Sequence, residues 1–226
     1  MTSLLLRTDD LLRGRFPSEA DAAAPGRRVL PHLLLTMAVF GMAYGVVMGT
    51  FGGVRGERAL QLLYSGVKVP LLLLVTFVLS LPSFFVLNTI LGVRGDFGRV
   101  LQGLIATQAG LTVILASLAP FTAAWYASFT DYGTALLFNA AMFGVASFAA
   151  QWMLRRFYRP LIAANPRHRV LLRTWLVIYA FVAIQMAWVL RPFVGAPGVP
   201  TRFFREEAWG NAYVVVAERV AQALGL

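Results

Sequence analysis

The chain contains no cysteine, which excludes disulfides, thiolate metal sites, iron–sulfur clusters and cysteine nucleophiles. Charge is also scarce. Asp, Glu, Lys and Arg make up only 13% of the 226 residues, about half the usual share of a soluble globular domain. Histidine occurs only at His32 and His168, and Lys68 is the single lysine. Imidazole bases and ligands are therefore limited to two positions, whose spacing does not require them to converge. The sequence has no phosphate-binding glycine loop with its lysine, no zinc-protease pattern and no nucleophile elbow. The expectation is a protein that is not an enzyme, with no catalytic residue, metal or cofactor.

Apolar sequence is what the chain has in quantity. Hydrophobic residues account for 58% of it, and several stretches run 18 or more residues without a charge, the length a helix needs to cross about 30 Å of hydrocarbon. Backbone in lipid must satisfy its own hydrogen bonds, and long runs without alternation do not suit barrel strands, so the spans are helices. The fold class expected is all-α, a polytopic bundle of five spans at about 33–51, 69–91, 100–120, 133–153 and 170–190. Pro70 opens the second span and Pro82, flanked by Ser80 and Ser83, interrupts it with a kink that suits ordinary packing better than a gate.

Orientation follows from where the arginines fall. The formal charge of +10 would suggest nucleic acid in a soluble protein, but here the basic residues gather between apolar runs and set topology, so no nucleic-acid partner is expected. The N-terminal arm, the loop with Arg94 and Arg99, and the region from Arg155 to Arg173 together hold thirteen Lys and Arg, against seven on the opposite side. The N-terminus is accordingly expected in the cytoplasm, and the membrane is read as a bacterial inner membrane. His32, His168 and Asp96 fall on that cytoplasmic side. Trp125, Trp152, Trp175 and Trp188 fall near the expected ends of spans, where amphipathic rings prefer to sit.

Outside the spans, residues 1–31 form an arm in which Leu4, Leu5, Leu6, Leu11, Leu12 and Phe16 suit one face of a short amphipathic helix. At the other end, residues 191–226 form an outer tail. Its first part is rich in Pro and Gly, and Trp209, Tyr213, Val216, Val220 and Leu224 then recur at helical spacing. The segment from about 209 to 224 is too polar to span and is expected to lie in the membrane interface or on a partner.

Three sets of residues are candidates for function. Gly41, Gly45 and Gly49 form a flat strip that lets another backbone approach closely, more readily one of the chain's own spans than a partner or a second copy. Asn88, Gln108, Asn139 and Gln185 are polar within spans and could line a path, although such groups more often bond neighbouring helices. Arg155, Arg156 and Arg159, and Arg202, Phe203, Phe204, Arg205 and Trp209 in the tail, are candidates for contact with partners or lipid headgroups. No Asp, Glu, Arg or His lies clearly at mid-membrane, which weighs against an ion-coupled carrier. Gly53-Val54-Arg55-Gly56-Glu57 is echoed by Gly92-Val93-Arg94-Gly95-Asp96; with the copies on opposite sides of the membrane, both read as tight basic turns rather than a duplicated unit.

From Leu63 to Trp125 a proline-interrupted span ends in Leu91-Gly92, a short turn follows through Gly95 and Phe97, and the next span closes at Pro120. This arrangement, with five spans and an inside N-terminus, resembles the Yip1-like membrane family. The resemblance implies a non-enzymatic membrane protein and transfers no functional residue. The leading expectation is a non-catalytic membrane subunit or scaffold whose partners are membrane lipids and other membrane protein subunits or copies of itself. The alternatives are a small oligomeric permease or channel subunit and an anionic-lipid-binding membrane protein.

Overall fold

The structure, a computed structural model, describes residues 25–196, 198–205 and 210–214. The short helix expected in the N-terminal arm lies outside the described residues, as do Trp209 and most of the expected C-terminal helix, of which only residues 210–214 are described, with 212–214 helical. The described chain is a bundle of helices: α1 (Pro25–Gly49), α2 (Ala59–Ile90), α3 (Phe97–Ser128), α4 (Tyr132–Ala164) and α5 (Arg167–Leu190). All five are long and apolar enough to cross a membrane. Large apolar side chains point outward along the bundle, among them Ile90, Leu137, Phe148 and Val177. A surface so apolar needs lipid as its solvent. The chain is an all-α integral membrane protein.

The connections are short because the sequence between runs stops helices locally. Gly52, Gly53 and Gly56 adopt positive φ after α1 and Gly92 does so after α2, a conformation that side-chain-bearing residues avoid. Each of these turns then winds through one 3-10 turn, Gly56–Arg58 or Arg94–Asp96. The echoed glycine-arginine segments thus flank the two ends of α2 and serve the same purpose on opposite faces. Asp131 starts α4 by accepting a 2.7 Å hydrogen bond from the Thr134 amide, as a capping carboxylate should. Between α4 and α5, the Asn165 side chain accepts from the Arg167 amide at 3.1 Å.

The helices outlast the expected spans. Pro31, Pro70, Pro82, Pro120 and Pro160 all lie within helices rather than at their ends, so α3 runs on through Pro120 to Ser128. A missing N–H is tolerated where neighbouring helices hold the chain on course. At 1.5 Å per residue the 32 residues of α2 reach about 48 Å, well beyond a hydrocarbon core of about 30 Å. The surplus falls at its N-terminal end, where the residues before Val69 are polar at helical spacing.

In packing order, α1 lies between α2 and α3, α4 packs on α3, and α5 packs on α2 and more lightly on α4. The face where α1 begins, shared by the α2–α3 and α4–α5 turns, is called the near face; arginine counting assigns it to the cytoplasm. The far face carries the α1–α2 and α3–α4 turns and the tail after α5. The core divides accordingly. Its far half joins Tyr44, Met48, Phe51, Leu73, Leu115 and Val194, whereas its near half joins Phe84, Val100, Leu104, Tyr158, Leu171 and Trp175. Trp175 is therefore not an interfacial anchor. It is buried edge-on against Phe77 and Phe84, with ring centroids 5.8 and 4.9 Å away, because it lies on the face of α5 that meets α2. Trp152, by contrast, is exposed on α4.

Candidate anion-binding cleft at the far face

The extension of α2 builds the site. Arg58, at the end of the 3-10 turn that leads into α2, and Gln61, Ser65 and Lys68 in the first turns of α2 recur three or four residues apart, so they share one side of the chain there. The tail after α5 runs back along that side. The Lys68 ammonium donates to the Pro192 carbonyl at 2.8 Å, Gln61 Nε2 donates to the Phe193 carbonyl at 3.2 Å, and the Ser65 hydroxyl donates to the same oxygen. Val194 enters the apolar core, and the Tyr132 hydroxyl donates to its carbonyl at 3.4 Å. A Pro- and Gly-rich segment with no helix of its own must place its carbonyls somewhere. Here the donors of α2 take them.

A cleft of about 420 Å³ opens beside this seam, lined by Arg58, Gln61, Arg202, Arg205 and the backbone near Gly195 and Pro200. Arg58 is held over it by bonds to the carbonyls of Phe51 at 3.2 Å and Ala196 at 3.5 Å. Arg205 reaches the Tyr132 hydroxyl at 3.4 Å. Beneath, Lys68 is buried with its Nζ 4.8 Å from the centroid of the Phe203 ring, a favourable place for an ammonium. Phe203 in turn packs edge-on against Tyr64 at 5.3 Å. None of the described residues that line the cleft is acidic. Three guanidiniums on the walls and an ammonium below repel one another, and guanidiniums present paired donors that match phosphate or carboxylate oxygens.

No family model, curated protein or solved structure matches this chain.

The sequence-derived candidates separate on this frame. Gly41, Gly45 and Gly49 all face α2. A Cβ on Gly45 would stand 2.2 Å from the Ser65 carbonyl oxygen, and one on Gly49 2.7 Å from Leu62 Cα. The strip is occupied by the chain's own second helix. The four polar span residues are not brought together. Asn139 accepts from the Tyr44 hydroxyl at 3.2 Å and donates to Tyr126, tying α1, α3 and α4. Gln108 accepts from the Tyr179 hydroxyl at 2.8 Å, joining α3 to α5. Asn88 donates to the Phe84 carbonyl one turn back at 2.8 Å. Gln185 receives the Ala212 amide at 3.0 Å and donates to the Gly210 carbonyl at 3.1 Å. Each has a separate helix or tail contact, and none bonds to another of the four.

Among the basic and aromatic candidates, Arg202 and Arg205 line the far cleft, Phe203 lies under it, and Phe204 stacks edge-on with Phe203 at 4.8 Å while itself exposed. Arg156 lines a second cleft at the near face, whereas Arg155 and Arg159 are exposed beside it. Sequence reasoning missed Arg58, Gln61, Ser65 and Lys68 as a site, and counted Lys68 as a loop residue. Their helical spacing was the available signal. It went unread because the hydropathy that defines a span fades before the helix does.

Proposed function

We propose that this protein binds a phosphate-bearing anion, the headgroup of an anionic lipid, in the far-face cleft. The observation that carries the reading is the convergence of Arg58, Arg202 and Arg205 on one cleft above Lys68, with no acidic residue among the described lining. A folded tail that crowds cations gains stability when an anion enters between them, since the ligand removes their mutual repulsion. A place in a bacterial inner membrane and a Yip1-like, non-enzymatic character are compatible with this role. The scaffold alternative is less favoured because the glycine strip and residues 210–214 of the tail, two surfaces that would serve a partner, are engaged by α2 and α5 of the same chain.

Thermal unfolding in defined bilayers tests it. Phosphatidylglycerol should raise the midpoint over phosphatidylcholine by about 5–10 °C, the effect of a ligand at roughly a hundred times its dissociation constant on a chain of this size. The rise should vanish in an Arg58→Gln/Arg205→Gln variant. A comparable rise with inorganic diphosphate in detergent would make the ligand a soluble anion. The same midpoint in both lipids and with diphosphate would refute an anion site.

A further inference from the structure

The near-face cleft, about 360 Å³, is cut between the start of α3 and the end of α4, and its lining includes Asp96, Arg156, Phe157, Pro160 and Leu161. Its carboxylate is engaged from within the bundle. One oxygen of Asp96 lies 3.1 Å from Nε2 of the fully buried His168, a contact that ties α5 to the turn before α3. Asp96 is the only acidic residue among the described residues of this face. The arginines of the α4–α5 hairpin are disposed differently. Arg155, Arg156 and Arg159 in the last turns of α4, and Arg169 and Arg173 in the first turns of α5, are all exposed, and none of the five makes a hydrogen bond or ion pair among the described residues. The hairpin itself is fixed. Leu154, Tyr158 and Leu161 on α4 and His168, Leu171 and Leu172 on α5 are buried, and Arg167 donates to the Leu91 carbonyl at 3.0 Å. Topology asks only for an excess of arginine on one side of the membrane and sets no condition on how it is held. Five guanidiniums on one rigid hairpin repel one another, and an anionic partner relieves that repulsion.

We infer that this hairpin docks an acidic segment of another protein, one that presents carboxylates a helical turn apart. Arg155 and Arg159 are four residues apart on α4, as are Arg169 and Arg173 on α5, so each pair stands one turn apart on its helix and offers paired donors to two such carboxylates. The height of the hairpin favours a protein over lipid. Trp152 is exposed on α4, where an aromatic ring marks the headgroup level. At 1.5 Å per residue Arg159 stands about 10 Å beyond it and the end of α4 about 18 Å, whereas the headgroup zone is only about 5–7 Å deep on each side. Arg169 lies within the first turn of α5, level with the end of α4. The upper arginines therefore reach past the phosphates into water. Nucleic acid is less well matched. Beyond Trp152 the described hairpin has no exposed aromatic ring on which a base could stack, and its one amide side chain, Asn165, is occupied by the Arg167 N–H. The inference goes beyond the far-face reading and uses none of its residues.

Fluorescence anisotropy with the full chain in phosphatidylcholine nanodiscs tests it, the probe being a labelled helical peptide with glutamate at every fourth position. That peptide should bind at least tenfold more tightly than its glutamine counterpart. Arg159, Arg169 and Arg173 are exposed and make no bonds among the described residues, so Arg159→Gln/Arg169→Gln/Arg173→Gln leaves packing intact and should remove most of the difference. Arg159→Lys/Arg169→Lys/Arg173→Lys keeps the charge that sets topology, and should still weaken binding severalfold because an ammonium lacks the paired donors. Equal binding of the two peptides, or undiminished binding in both variants, would overturn the assignment. Tighter binding of a single-stranded oligonucleotide of the same charge would overturn it in favour of nucleic acid. Retention of phosphatidylglycerol that falls in the glutamine variant, beside no binding of the acidic peptide, would overturn it in favour of lipid headgroups.

Discussion

The two clefts stand at opposite ends of the same bundle and are made in different ways. The far one is walled by guanidiniums and closed by a tail that has no helix over the part it shares with α2; the near one has mixed charge and is cut from the ends of helices. Their supports differ as well. Beneath the far cleft α1 and α2 meet backbone to backbone along Gly41, Gly45 and Gly49. Beside the near cleft α3 and α4 meet through a side chain, with the Phe157 ring seated on Gly103. One end of the molecule is thus fixed by close backbone approach and held shut by polar donors, whereas the other depends on aromatic packing.

Adding one methyl group to each contact gives the largest difference expected between them. A Cβ at Gly45 would lie 2.2 Å from a backbone oxygen and one at Gly103 2.2 Å from an aromatic ring edge. The distances match, but the obstacles do not. The Phe157 ring can turn aside, while the Ser65 carbonyl moves only if α2 moves, and α2 carries Gln61, Ser65 and Lys68 with it. Gly45→Ala should therefore cost at least the upper part of the ~1–3 kcal/mol typical of overpacking, lowering the midpoint by about 5–10 °C and removing the far-face response to phosphatidylglycerol. Gly103→Ala should cost markedly less. A larger loss for Gly103→Ala in thermal unfolding would reverse the assignment of rigid and adaptable ends.

The next effect concerns the tail alone. Lys68→Met keeps most of the buried volume but removes the donor to Pro192, whose carbonyl then has only the 3.5 Å approach of Gln61 Nε2. An unsatisfied buried acceptor costs about 1–3 kcal/mol. Where local opening equilibrates before cleavage, that cost becomes a rise of roughly fivefold to a hundredfold in proteolysis. Trypsin should cut after Arg202 and Arg205 faster by that factor, with no change in cleavage at Arg156 or Arg167 on the near face. Parallel acceleration at both faces would mean that the tail and the bundle open as one unit.

Much of this frame was legible from the residues. Runs of apolar sequence gave the helices and their number, and the four-residue glycine interval gave the close helix contact, because both depend on periodicities within one element. Helix ends were less legible. Hydropathy reports where lipid begins, but α2 keeps its backbone bonds for about three turns beyond that point, and Pro120 does not stop α3. The far cleft was half visible. Arg202 and Arg205 stood out by charge, but the pairing of that segment with the start of α2 joins residues more than 120 positions apart, and no local pattern encodes such a return. Likewise, Asp96 and His168 were assigned to one face without anything to show that they touch.

The polar contacts inside the bundle offer the finest comparison. In the far half, Tyr44, Thr122, Tyr126 and Asn139 share a network, so the loss of one hydroxyl leaves partners that still bond each other. Gln108 and Tyr179 form an isolated pair at 2.8 Å. Tyr179→Phe leaves the Gln108 oxygen with no replacement donor. Tyr44→Phe takes one donor from Asn139, whose amide still donates to Tyr126 and to the Ala135 carbonyl. Hydrogen bonds between membrane helices average only ~0.6 kcal/mol, so Tyr179→Phe should lower the midpoint by about 1–2 °C. Tyr44→Phe should lower it by less, since the network retains its other bonds. If Tyr44→Phe proves the costlier of the two, the far-half network is cooperative, each bond strengthening the next, and the rigidity of that end comes from its hydroxyls as well as from its glycines.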